Sequence, residues 1–128
     1  MTYISEKLRQ EVKERSNFRC EYCRLHETDG YFPHEIDHIY AEKHGGETLS
    51  ENLCLACADC NRYKGSNLCS LDPQTGEITA LFHHFTLANR GNIQARTARG
   101  RVTIRVLSLN RSELVTERIR LIMLGKYD

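Results

Sequence analysis

Six cysteines stand at positions 20, 23, 54, 57, 60 and 69, and four of them form two C-x2-C pairs, Cys20-Glu-Tyr-Cys23 and Cys57-Ala-Asp-Cys60. Such a pair turns tightly enough for both thiolates to face one ion. Two pairs together supply a closed tetrahedral shell, with Zn–S bonds of about 2.3 Å and no open position for chemistry. A structural zinc on Cys20, Cys23, Cys57 and Cys60 is therefore expected. Two alternatives stay open on spacing alone. Cys54-x2-Cys57 is also a legal pair, and a lone C-x2-C can be a redox dithiol, although that motif goes with a βαβ pattern that is not seen in this sequence. Cys54 and Cys69 are expected to be packing residues, the usual fate of free cysteine. Between the pairs lies Asp37-His38. A carboxylate is a hard ligand for a divalent cation, and a neutral imidazole, with an ordinary pKa of about 6.5, can take a proton from water.

The elements that must hold these groups follow from periodicity and turn residues. Residues 5–16 are good helix formers with Ile4, Leu8 and Val12 four apart, which predicts a helix leading into the first Cys pair. After the Asp29-Gly30 turn and Pro33, the run His34-Glu-Ile-Asp-His-Ile-Tyr-Ala41 alternates. Glu35 and Asp37 fall on one face of a strand, and His34, Ile36 and His38 on the other. Gly45-Gly46 marks a loop, residues 52–56 a second short strand, and residues 57–66 a helix stopped by Gly65. Further on, residues 71–76 read as a turn and 78–87 as a strand. A turn at 88–91 leads into a strand near 93–96, making a hairpin. Residues 101–106 fit strand alternation and a helical stripe equally. Asn110 with Glu113 reads as a capping box for a last helix, with Leu114, Val115, Ile119 and Ile122 on its apolar side and Gly125 closing it.

The order Asp37-His38-Ile39, Gly45-Gly46, Asn52-Leu53, Cys57-x2-Cys60-Asn61-x2-Lys64 resembles the HNH nuclease family in its zinc-stabilised form, with Asn61 in place of the final His. The resemblance covers about residues 18–66. A weaker likeness of the later chain to small bacterial stand-alone members turns residues 98–108 toward helix. The family implies an α+β fold, a ββα-metal core with one divalent cation. With the readings above, it would be a single domain over 1–128: a zinc-clamped core over 18–66, an N-terminal helix, and a C-terminal hairpin with basic helices over 71–128. It further implies endonuclease activity, the hydrolysis of DNA phosphodiester bonds by cutting or nicking. His38 would be the general base, and Asp37 and Asn61 would be ligands of the cation. Asn52 would orient the backbone beside His38 through its amide. The carboxamide oxygen of Asn61 is harder than imidazole and suits magnesium or manganese. Lys64, one turn after Asn61, is a candidate phosphate contact or a solvated lysine. Glu35 reads as structural, His34 as a surface group, and His26 and His44 as loop residues. His83 and His84 read as part of a half-buried strand.

Composition sets the frame. Over 128 residues the net charge is only +1, but residues 1–87 carry nine Lys and Arg against 14 Asp and Glu, whereas 88–128 carry nine against three. A basic segment on an acidic chain suits a phosphate backbone, with double-stranded DNA as the expected partner. Arg99, Arg101, Arg105, Arg111, Arg118 and Arg120 are the candidate contacts. No apolar run approaches the roughly 18 residues that span a bilayer, and Met1 to Arg15 has no signal-like apolar stretch, so a cytoplasmic protein is expected. The competing reading is a zinc-bound nucleic-acid-binding module without catalysis, which would have no need of Asp37, His38, Asn52 and Asn61 together.

Overall fold

The computed structural model describes residues 3–81, 85–87 and 92–127, with the backbone alone over 85–87. They form two compact units, Met1–Leu68 and Cys69–Asp128. The fold is mixed α+β, with four α-helices and three two-stranded sheets among the described residues. No described helix is long and apolar enough to cross a membrane.

In the first unit, helix α1 (Glu6–Arg15) starts where the Ser5 hydroxyl accepts from the Leu8 N–H, and Lys13 and Arg15 complement its last turn. Ile4 and Val12 pack with the buried Leu53 and Leu55, flanked by Leu8 and Ile36. Four such side chains contribute about 1.5–3 kcal/mol each, which is a small core for a unit of this length. Strands β1 (Glu35–His38) and β2 (Leu53–Ala56) pair antiparallel, with Asp37 opposite Cys54 and His38 opposite Leu53. Helix α2 (Ala58–Lys64) follows, and the chain leaves it at Gly65, whose φ of 53° a side-chain-bearing residue rarely adopts. Strand, loop, strand and helix thus occur in the expected order. The loop from β1 to β2 doubles back over Gly46, where an added Cβ would lie 1.7 Å from the Tyr40 carbonyl oxygen.

The second unit corrects several expectations. The stretch read as one strand over 78–87 is two: β4 (Ile78–Ala80) pairs with β3 (Cys69–Leu71), and β5 (Phe85–Leu87) pairs with β6 (Ile93–Ala95). The reason is the Asp72 turn. Its carboxylate accepts from the Gln74 N–H and the Thr75 hydroxyl, folding 69–80 into a hairpin of its own. The expected turn at 88–91 and the pair His83 and His84 lie outside the described residues. Cys69 is exposed on β3 rather than packed. The ambiguous stretch is helix α3 (Ala98–Val106), begun by the Thr97 hydroxyl accepting from the Gly100 N–H, with Val102 and Thr103 buried. Helix α4 (Ser112–Met123) lacks the expected capping box. Asn110 instead turns its amide to Ile93, accepting from its N–H and donating to its carbonyl, both at 2.7 Å. The buried line of α4 accordingly includes Arg118 and Leu121, whereas Ile119 and Ile122 are each 37% exposed.

Candidate active site and metal centre

Cys20, Cys23, Cys57 and Cys60 are all buried, and their sulfurs lie within 4.8 Å of one another. The Cys23 and Cys57 sulfurs are 3.7 Å apart. Four sulfurs placed tetrahedrally at 2.3 Å from an ion would be about 3.8 Å apart, so the cluster can hold a metal such as zinc. Burial raises the Cys20 thiol, but hydrogen bonds with Cys23, Cys57 and Cys60 outweigh it and hold this group well below the ordinary thiol range. Cys54 is not part of the cluster; its thiol donates to the Tyr22 hydroxyl at 3.4 Å. Two devices place the knuckles. Glu21 pins the first to the edge of β2, its N–H donating to the Leu55 carbonyl and its carboxylate accepting from the Leu55 N–H, each at 2.8 Å. The second follows directly from β2, with the Cys57 sulfur accepting from the Cys60 N–H at the start of α2.

Helix α2 meets β1 through two rungs. The Asn61 amide nitrogen donates to the Glu35 carboxylate, and two strand residues on, Lys64 pairs with Asp37 at 3.2 Å. Spacings of two on a strand and three on a helix each keep both members on one face, so the rungs follow from local geometry. Glu35 takes the Asn61 nitrogen and leaves the carboxamide oxygen for other partners. Asp37 is half-buried. Burial pushes its carboxyl up from the ordinary value, and the Lys64 ammonium opposes that shift.

His38 lies next to Asp37 in β1. Its Nε2 is 2.9 Å from the Thr48 hydroxyl and 3.4 Å from the Glu42 carboxylate. A carboxylate can only accept, so this contact suits a ring with its hydrogen on Nε2 and its lone pair on Nδ1. Asn52 occupies the turn just before β2. Its oxygen accepts from the Tyr40 N–H, and its nitrogen donates to the Tyr40 and Glu47 carbonyls. Its own carbonyl accepts from the Ile39 N–H. Three of these bonds hold the chain immediately after His38, and the fourth ties in Glu47.

Several residues lie elsewhere than expected. Lys64 is 1% exposed rather than a surface contact. His34 is buried against the Leu25 carbonyl. In the second unit, Arg101 makes two 2.8 Å bonds to Asp72, Arg118 is buried, and Arg120 pairs with Glu117. Arg111 lies 3.5 Å from Glu113. Arg99 and Arg105 are exposed on α3. Sequence reasoning missed Thr48 and Glu42 as partners of His38, since only the folded loop brings position 48 back to position 38. Tyr22 was missed too, although its place inside the first Cys pair is a signal that it turns inward.

A two-stranded ribbon and a helix, with Asp-His on the first strand and a Cys pair at each end, define a ββα domain bracketed by a four-Cys cluster compatible with a zinc site. Residues 20–67 match the family model of the HNH endonucleases, and this segment is an HNH domain. No curated protein and no solved structure matches the chain. An HNH domain implies nuclease activity in general and a nucleic-acid substrate.

Proposed function

We propose that the protein is a metal-dependent endonuclease that hydrolyses DNA phosphodiester bonds. The observation carrying this reading is the convergence, on one face of β1 and α2, of Asp37 and the Asn61–Glu35 pair beside a His38 whose Nε2 is taken up by Thr48 and Glu42. The donors fit a hard divalent cation: Asp37 and the carboxamide oxygen of Asn61 would hold it, with magnesium or manganese favoured over softer ions. Such a cation supplies a counter-charge for the leaving oxygen. His38 takes a proton from the attacking water at Nδ1, Glu42 and Thr48 hold the ring, and Asn52 fixes the strand end behind it. The structural ion of the four-Cys cluster is zinc in this reading. The alternative, a binding module without catalysis, has no use for a histidine held in this way.

Incubation of the purified protein with supercoiled plasmid tests the reading. Nicked or linear product is expected with magnesium or manganese and none with EDTA. Asp37→Ala should lower cleavage and shift its response to much higher metal concentration, and Asn61→His should shift preference toward cobalt or nickel. Plasmid left intact under every metal, by protein shown to hold zinc, would promote the binding-module reading.

Phosphate contact belongs, in the same reading, to the exposed arginines of the second unit. Replacing Arg99 and Arg105 together should weaken binding of duplex DNA and reduce its salt slope by about two. Arg101→Lys, which breaks the fork on Asp72, should lower the stability of the second unit more than it changes that slope. Binding titrations at several salt concentrations separate the two outcomes.

A further inference from the structure

Among the described residues, Lys64 is the largest of the fully buried side chains. An ammonium so enclosed must be paired and hydrogen-bonded, because burying a charge without partners costs far more than the fold of a small unit supplies. Its Nζ has three oxygen neighbours. It donates to the His38 carbonyl at 3.1 Å and to the Gly65 carbonyl at 3.4 Å, and it lies 3.2 Å from Oδ2 of Asp37. Two of these oxygens belong to consecutive residues of β1, and the third to the residue that ends α2. One side chain therefore ties the strand bearing Asp37 and His38 to the helix bearing Asn61. Its pairing engages Oδ2 of Asp37, and the Tyr22 hydroxyl also hydrogen-bonds to that carboxylate.

We infer that Lys64 is a positioning residue of the catalytic centre, one that holds the Asp37 carboxylate and fixes the His38 backbone against α2. The inference rests on the nuclease reading for its kinetic consequences, but its effect on cation affinity is independent of cleavage. A positive charge beside the ligand weakens cation binding by electrostatic repulsion, while the geometry it enforces raises turnover. Removing it should therefore drive the two quantities in opposite senses. A residue that merely filled space would not do this.

The test compares the parent protein with Lys64→Met, which removes charge and hydrogen bonds, and Lys64→Gln, which removes charge but keeps an amide donor. Mn2+ binding is read by electron paramagnetic resonance without DNA, and plasmid cleavage is read against metal concentration. Both variants are expected to bind Mn2+ about tenfold more tightly. Maximal cleavage should fall about 10- to 100-fold in Lys64→Met and less in Lys64→Gln. If Lys64→Met does not retain zinc, Lys64→Gln carries the test alone. Parent-like Mn2+ affinity in a folded, zinc-bearing variant overturns the inference, and so does weaker binding. If the parent itself fails to cut while Lys64→Gln binds Mn2+ more tightly, the nuclease reading falls and the role of Lys64 in the cation site stands.

Discussion

His38→Ala protein is expected to fold, hold its zinc and bind DNA as the parent does, while cutting about 10²- to 10⁴-fold more slowly. That range is what a positioned general base contributes in a transition state. The fold should tolerate the change because the backbone at this position is secured independently of the imidazole. His38 pairs with Leu53 across the ribbon, and its carbonyl accepts from Lys64. What disappears is the ring, and with it the use that Thr48 and Glu42 have for their positions. Plasmid cleavage beside a DNA-binding titration measures both parts. Parent-like cutting by His38→Ala, in a preparation free of contaminating nuclease, would falsify the mechanism.

The second large effect concerns the four-Cys cluster. Cys57→Ser, or removal of the metal with a strong chelator, should unfold most of residues 3–68, because metal binding there is folding free energy. Structural zinc sites of this kind contribute an apparent 10–16 kcal/mol or so at neutral pH, at least comparable with what the few buried side chains around Val12, Leu53 and Leu55 offer together. Cys57 also starts α2 through its sulfur, so the helix bearing Asn61 and Lys64 should lose its anchor at the same moment. Elemental analysis should find one zinc per parent chain. Cys54→Ser is the control: its thiol meets Tyr22 outside the cluster, and that protein should keep its zinc. Loss of zinc from Cys54→Ser with retention in Cys57→Ser would mean that the sulfurs pair differently in solution.

The contrast between the two units shows where local sequence carries enough information. Over residues 18–66 nearly every signal is short-range: C-x2-C turns, alternation over four residues, a glycine stop, and a strand and a helix whose periods bring Asp37 toward Lys64 and Glu35 toward Asn61. Beyond residue 68 the decisive contacts join residues that no motif or period marks as partners. Asp72 forms its turn locally but is held by Arg101, and Asn110, which has a good capping pattern in sequence, is claimed by the backbone of Ile93. A side-chain amide can satisfy a buried strand edge as well as a helix start, and burial decides which need is greater.

The sequence by itself determined which atoms could do chemistry. Four thiols in two pairs, an adjacent carboxylate and imidazole, and two carboxamides are fixed by residue type, and their order along a ribbon and helix is fixed by periods of two and 3.6. Tertiary structure alone decided which of those atoms are free to act. Lys64 reads on a helical wheel as a surface cation, but the docking of α2 on β1 encloses it, where an ammonium must find carboxylate and carbonyl oxygens. Thr48 lies ten residues from His38, and the close approach of Gly46 to the Tyr40 carbonyl accompanies the return of the loop to its ring. Exposure and partnership are properties of packed surfaces, and a pattern along one chain carries them only when both partners lie within a turn or a strand pair.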